Sequence, residues 1–260
     1  MTRTGMTALI TGASAGIGAE FARLFAADGH DLVLVARRRA KLETLADQLR
    51  DAHGIDVSVI AADLSDPTEP ARVHAEMTQA GIEVEFLVNN AGFGTNGSFA
   101  TLDLARELAM IELNVKALTR LTGLFLPSMV ARESGRILNV ASSAGFLPGP
   151  YMATYYASKS FVVNFTEAIA YELRGSGVTA TVLCPGPSAT EFATVAGAQR
   201  SPLFTSGLTD AATVARSGFE AMKAGKTIAI PDLGTKFRAE VLRVAPRSAI
   251  RAIAARLNRP

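Results

Sequence analysis

The stretch Ala8-Leu9-Ile10-Thr11-Gly12-Ala13-Ser14-Ala15-Gly16-Ile17-Gly18 restricts what this chain can fold into more than any other. A short apolar strand meets three glycines, and the helix after them repeats its apolar residues Ile17, Phe21, Leu24 and Phe25 along one face. Glycine lets the backbone turn tightly and approach an anion closely, and the free N–H groups of a helix start attract negative charge. Strand, glycine turn and helix therefore stand in the order a phosphate site requires. The spacing G-x-x-x-G-x-G departs from G-x-G-x-x-G and lacks the Lys-Ser/Thr ending of a P-loop, which argues against an ATPase.

The same alternation continues. Asp31 to Ala36 is an apolar run suited to a strand buried on both faces, and it ends in Arg37-Arg38-Arg39. Where a second strand of this kind meets an adenosine ribose, an acid suits a free 2′-hydroxyl and an arginine suits a 2′-phosphate. The arginines therefore favour NADP(H) over NAD(H). A solvated basic helix start is the competing reading, and it is poor because cations are unfavourable at that end of the helix dipole. A helix with Leu42, Leu45, Ala46 and Leu49 leads to a third strand, Val57 to Ala62, and to Asp63-Leu64-Ser65. Asp63 could accept from an adenine amine or simply cap the adjoining segment. Pro67 and Pro70 open a helix with Val73, Met77 and Ala80 on one face. The fourth strand, Phe86 to Val88, runs into Asn89-Asn90-Ala91-Gly92, whose carboxamides are expected to brace the loops of the cleft.

From Leu102 to Val130 the pattern is helical, with Asn114 inside a face made by Leu108, Ile111, Val115 and Leu118. A fifth strand, Arg136 to Ala141, ends at Ser142-Ser143-Ala144-Gly145, and an apolar loop, Phe146 to Met152, comes next. The helix after it carries Phe161, Val162, Phe165, Ile169 and Leu173. The sixth strand, Val178 to Cys184, ends at Pro185-Gly186-Pro187-Ser188-Ala189-Thr190. Strands alternating with helices predict an α/β fold, a parallel sheet covered on both faces, whose ligands bind at the carboxyl ends of the strands. No linker, repeat or low-complexity stretch divides the chain, so one domain is expected.

Within that frame, Tyr155 and Lys159 lie four residues apart at the start of a helix and share a face. A phenol with a pKa of about 10 is a poor proton donor or acceptor near neutrality, and a nearby ammonium favours its ionised form. The pair is thus suited to acid/base work. At 260 residues, 48% hydrophobic and 19% charged, the chain can bury one large core, and its net charge of +2 with dispersed basic residues gives no nucleic-acid footprint. His30, His53 and His74 are not at ligand spacing from one another or from Cys184, so no metal site is expected. A lone cysteine is consistent with a reducing cytoplasm, and the N-terminus is neither signal peptide nor membrane span.

With these residues in hand, the chain resembles the single-domain branch of the short-chain dehydrogenase/reductase family over roughly residues 5 to 230. The resemblance rests on TGASAGIG at 11–18, NNAG at 89–92, Asn114, Ser142, Tyr155-x-x-x-Lys159 and Pro185-Gly186, in that order. It implies a doubly wound, Rossmann-like sheet of about seven strands in three layers. It also implies hydride transfer between NADP(H) and a carbonyl or secondary alcohol, in a cytoplasmic homo-oligomer, a dimer or tetramer built on the helices around Asn114 and Phe161. Tyr155 would be the general acid or base, Ser142 would hydrogen-bond the substrate oxygen, and Lys159 would hold the nicotinamide ribose while lowering the Tyr155 pKa. Asn114 would position a water behind the lysine.

The cofactor would lie against Gly12, Ser14, Gly16, Ile17, Gly18, Arg37, Arg38, Asp63, Leu64, Asn90, Ala91, Gly92, Tyr155, Lys159, Pro185, Gly186, Ser188 and Thr190. Ser188 stands where the family often has valine. Phe93, Phe146, Leu147, Met152 and Phe192 would surround an apolar substrate, and Glu191 to Thr213, with hinges at Gly197 and Gly207, would form a mobile lid. A different class, a catalytically silent NADP(H)-sensing regulator, would commonly have lost a member of the relay, and this chain keeps all four. An epimerase or dehydratase would need a larger C-terminal region.

The family-like domain is expected to end near residue 232. The extension from 233 to 260 carries Arg238, Arg243, Arg247, Arg251, Arg256 and Arg259 with the single acid Glu240. Beyond Pro246, Ile250, Ile253, Ala254 and Leu257 form one apolar stripe of an amphipathic helix. It could pack on its own domain or a sister subunit, or make peripheral contact with an anionic membrane surface.

Overall fold

Alternation of side chains along consecutive apolar strands sorts the core into two layers. The computed structural model describes residues 5–205, 207–232, 234–236 and 245–260; Arg238, Glu240 and Arg243 lie outside them. Six strands, β1 (Thr7–Thr11), β2 (Asp31–Ala36), β3 (Val57–Ala61), β4 (Val84–Asn89), β5 (Gly135–Val140) and β6 (Val178–Leu183), are joined by a short edge strand, Ile228–Ala229. The parallel pairings give the order β3-β2-β1-β4-β5-β6 and then Ile228–Ala229. The order reverses between β1 and β4, so a crevice opens at the carboxyl ends of these two central strands.

One face of the sheet presents Ala8, Ile10, Leu32, Leu34 and Val88 to α1 (Gly16–Ala27), which supplies Phe21 and Phe25, and to α2 (Arg39–His53), which supplies Leu42, Leu45 and Leu49. The other presents Leu9, Val33, Val35, Leu87 and Ile137 to α3 (Glu69–Gln79) and to two longer helices. Phe21 and Phe25 are fully buried, each worth about 2–3 kcal/mol of transfer free energy. In α3 Val73 and Met77 are buried as expected, whereas Ala80 caps the helix and is exposed.

The stretch 104–131 is helical throughout but not uniform. α4 (Leu104–Ile111) and α5 (Leu118–Ala131) are joined by a π turn at Glu112–Ala117. The expected face of Leu108, Ile111, Val115 and Leu118 is not the buried one: Leu108 and Ile111 are exposed, and Glu107, Met110, Asn114, Ala117, Leu118 and Leu121 are buried. In α6 (Ala153–Glu172) Val162 and Ile169 are buried as expected, but Phe161 is exposed and stacks on Phe165 with ring centroids 5.6 Å apart. Tyr156, Ser158, Lys159, Val163 and Thr166 are buried too, so the buried face of α6 mixes polar residues with apolar ones.

The carboxamides of Asn89 and Asn90 divide their labour. Asn90 Nδ2 donates to the Thr11 carbonyl (2.9 Å), bracing the glycine turn. Asn89 instead lies beneath the cleft, where Nδ2 donates to Asn139 Oδ1 (2.9 Å) and Thr122 Oγ1 (3.2 Å), and Asn139 donates onward to Thr166. A buried polar chain thus ties β4, β5, α5 and α6 together.

Past β6 the chain forms β7 (Ser188–Ala189), α7 (Phe192–Ala196), a short 3-10 turn at Pro202–Phe204, β8 (Thr209–Asp210), which pairs with β7, and α8 (Ala211–Lys223). The last helix, α9 (Arg247–Leu257), buries Ile250 and Ala254 against its own chain, while Ile253 and Leu257 of the expected stripe are largely exposed. No helix among the described residues is long and apolar enough to cross a membrane.

Candidate active site and cofactor cleft

The β1–α1 turn is a cradle that side chains would fill. At Gly12, with φ +68°, an added Cβ would come within 2.8 Å of Asn90 Nδ2 and 2.9 Å of Ala91 Cα. At Gly18 it would run into the Gly12 carbonyl and the Asn90 carboxamide, and at Gly16, with φ +56°, it would crowd the Thr190 methyl at 3.2 Å. The α1 N-terminus has no side-chain cap, so its first N–H groups are left to face an anion. These features fit the pyrophosphate of a dinucleotide.

One cavity of about 830 Å³ runs from this turn to the first turns of α6 and to α9. Every residue expected to contact cofactor or substrate lines it except Gly18, which packs behind the turn. At the end formed by β2 and β3, Arg37 lies 3.8 Å from Asp63, which also makes its own turn by accepting from Ser65 N and Oγ. Arg38 donates from Nε and Nη2 to Ser14 Oγ (3.1 and 3.0 Å) and from Nη1 to Glu191 (2.8 Å).

At the other end β5 delivers Ser142, and the first turns of α6 deliver Tyr155 and Lys159. Ser142 Oγ accepts from Ala144 N (3.1 Å) and hydrogen-bonds the Tyr155 phenol. Burial pushes the Tyr155 pKa well above that of a free phenol, with the Ser142 contact opposing it. The expected lowering by Lys159 is not what governs the phenol here. The Lys159 ammonium lies 5.9 Å from the Tyr155 ring centre and donates to the Val140 carbonyl (2.7 Å). Lys159 is itself pushed down to about 8, because burial penalises its charge.

Asn114 does not line the cavity but stands behind it. Its carboxamide closes a two-way bridge to the Phe93 backbone (3.1 and 2.9 Å) and donates to Ser158 Oγ (3.1 Å), which in turn donates to the Tyr155 carbonyl. It sits within the π turn. Asn114 Oδ1 and Lys159 Nζ both border Gly92, where a Cβ would sit 3.0 and 3.5 Å from them.

The substrate end is apolar. Phe192 packs on Tyr155 at 5.0 Å between centroids and on Phe204 at 5.8 Å. Gly94 makes that contact feasible, because a Cβ there would approach Phe192 Cζ to 2.7 Å and Tyr155 Cδ2 to 3.2 Å. The outer wall comes from α9, whose Ile253, Ala254 and Leu257 face the cavity. Asn258 fastens it: fully buried, it accepts from Tyr156 Oη (3.0 Å) and donates to the Pro150 carbonyl (3.1 Å). Its own carbonyl accepts from Asn96 (2.7 Å), and Leu257 O accepts from Ser201 (2.6 Å). Gly94, Phe204 and Asn258 were not singled out from the sequence, and Glu191 was named only as the start of the expected lid. Their partners lie as far as 162 residues away, and no local spacing marks them.

The family model for short chain dehydrogenase matches residues 6–201, and the chain belongs to that family of oxidoreductases. It is 36% identical over 185 residues to the ketoacyl reductase HetN of Nostoc sp. (strain PCC 7120), a match covering 71% of this chain and 64% of that protein, so the chain spans less than two thirds of this relative's length. A short-chain dehydrogenase from Sphingobium yanoikuyae, in complex with NADPH, superposes with a TM-score of 0.84 at 34% identity, covering 92% of each chain. A short-chain dehydrogenase/reductase from Burkholderia phymatum, in complex with NAD, gives 0.81 at 29% identity, covering 92% of this chain and 94% of the other. The Rossmann-like sheet and a nicotinamide cofactor therefore hold for the family.

Proposed function

We propose that the protein is an NADP(H)-dependent reductase of ketones, or dehydrogenase of the matching secondary alcohols, with Tyr155 as general acid or base. The observation that carries this reading is the meeting of Ser142, Tyr155 and Lys159 in the same cavity as a glycine cradle and a pair of arginines. When bound, the nicotinamide supplies or accepts the hydride. In the reductive direction Ser142 and Tyr155 hydrogen-bond the carbonyl oxygen, and Tyr155 delivers its proton there. A phenol whose pKa is raised by burial stays protonated at neutral pH, which suits it to this donor role. Lys159, with Asn114 behind it, replenishes the proton and holds the ribose hydroxyls. Gly12, Gly16 and Gly18 shape the pyrophosphate turn, Arg38 meets the 2′-phosphate, and Asp63 with Leu64 borders the adenine.

The substrate is a neutral ketone with an apolar arm. Among the described residues lining the cavity, charge is confined to the adenosine end, Lys159 apart. A ketoacyl chain, which the name of the Nostoc relative states, is one ketone of this kind. The exposed Leu104 and Leu108 of α4 and Phe161 of α6 suit a contact between copies of the chain. Within the 233–260 extension, α9 is a pocket wall of the same domain.

Fluorescence titration with NADPH and NADH tests the cofactor. We expect tighter NADPH binding in the native protein and a loss of about ten- to a hundredfold in NADPH affinity for Arg38→Ala, as for a lost charge-assisted contact. Tighter NADH binding would overturn the assignment of Arg38.

A further inference from the structure

The guanidinium assigned to the 2′-phosphate is already occupied. Glu191 Oε2 lies 2.8 Å from Arg38 Nη1, and its Oε1 lies 3.1 Å from Lys41 Nζ in the first turn of α2. Arg38 is also held by Ser14. These partners come from three places: the β1–α1 turn, the start of α2, and the stretch just after Thr190, 150 and 153 residues further along. Arg38, Glu191 and Ser14 all line the cofactor cavity. The Lys41 and Arg38 contacts hold the Glu191 carboxyl below the usual carboxylate range, so it is an anion in neutral solution. A dianionic phosphate brought to the same guanidinium would meet that carboxylate at close range, and like charges repel.

We propose that Glu191 is a specificity-determining residue that stands in for the 2′-phosphate: its carboxylate holds Arg38 and Lys41 until NADP(H) displaces it, and NAD(H) requires no such displacement. The proposal rests on the reading that Arg38 receives the 2′-phosphate. Glu191 lowers the preference for NADP(H) over NAD(H), because the phosphate must first break an ion pair that the 2′-hydroxyl can leave intact. The hydroxyl can even donate to the carboxylate. Glu191 immediately precedes Phe192, the ring packed on Tyr155, so the displaced segment is the one that also walls the substrate.

The partners are about half exposed, with side-chain exposures of 43% for Arg38, 52% for Lys41 and 50% for Glu191, so the effect is modest and salt-sensitive. The test is Glu191→Gln, which keeps the shape and removes the charge. Dissociation constants are measured for NADPH, NADH, 2′,5′-ADP and 5′-AMP at low and at high ionic strength. NADPH and 2′,5′-ADP are expected to bind about two- to fivefold tighter than to the native protein, the range of an exposed ion pair. NADH and 5′-AMP should be unchanged or weaker, and the gain should shrink in high salt.

Glu191→Asp, which keeps the charge on a shorter arm, should recover the native preference in part. NADPH binding that stays the same or weakens in Glu191→Gln would overturn the proposal, as would equal tightening of NADPH and NADH. If Arg38→Ala leaves NADPH affinity unchanged, the assignment of the 2′-phosphate falls and this proposal falls with it. If Arg38→Ala weakens NADPH binding while Glu191→Gln does not tighten it, only the role of Glu191 is refuted.

Discussion

The two ends of the cavity are built on different principles. The cofactor end is made of strand ends and backbone: the β1–α1 turn, the tips of β2, β4 and β6, and glycines whose value is the absence of a side chain. The substrate end is assembled from segments remote in sequence, the loop around Phe93, the start of α6, the stretch after β6 and α9, fastened through Asn258, Asn96, Tyr156 and Ser201. A site drawn from strand ends inherits its geometry from the sheet. One pinned by long-range hydrogen bonds can change its walls while the sheet stays put, so that ligand shape can diverge over a constant reaction.

Substitutions can break this contrast, and the largest effect falls where the ends meet. Tyr155→Phe should bind NADPH as the native protein does yet lose about 10²–10⁴-fold in kcat, because both ends survive while the proton donor is removed. Full turnover in that variant would refute the mechanism. Gly18→Ala should act on the cofactor end alone. The new methyl group must push aside the Gly12 carbonyl or Asn90, a strain of about 1–3 kcal/mol. NADPH affinity should fall roughly ten- to a hundredfold. Asn258→Leu should act on the substrate end alone. It removes the clamp on α9 and should raise KM for a ketone with a long apolar arm by about three- to tenfold, with NADPH affinity unchanged and a smaller effect on a compact ketone. Equal changes in KM for both ketones would mean that Asn258 serves stability only.

The cofactor end was the legible one, for a physical reason. A tight turn against an anion can be made in few ways, and it needs glycine at set offsets, so Gly12, Gly16 and Gly18 show in the sequence. Tyr155 and Lys159 show because a helix puts i and i+4 side by side. The face expected around Asn114 failed because the buried stripe runs through Glu107, Met110, Asn114, Ala117 and Leu121, and the two polar members, Glu107 and Asn114, hide it from an apolar pattern while Leu108 and Ile111 lie beside it. Phe161 was read with the apolar set of α6 and is exposed, because the buried face runs instead through Tyr156, Ser158, Lys159, Val162, Val163, Thr166 and Ile169, where polar residues share the stripe and leave its apolar pattern incomplete. Asn258 carried no signal at all. It was one polar residue beyond a basic amphipathic helix, and only the fold brings it to Tyr156.

The smallest effect concerns the electrostatics of the seam. Lys159 titrates near 8 in the folded protein, against 10.5 when exposed, because burial disfavours the ammonium. Between these values the unfolded chain binds the proton and the folded chain does not, so stability rises with pH through this window; below about 8 both states are protonated and the slope vanishes. Cys184 acts in the opposite sense. Burial pushes its thiol from 9.0 to about 12, so above pH 9 the unfolded chain sheds a proton that the folded chain keeps, and stability falls. The Lys159 contribution is therefore cleanest between pH 8 and 9, where it amounts to about 1 kcal/mol, or about 2–4 °C in Tm for a chain of this size. Thermal unfolding of the cofactor-free protein across that interval should show the rise, and Lys159→Met should abolish it. A slope that persists in Lys159→Met would assign the titration to another group and leave the seam lysine fully charged, at odds with its burial.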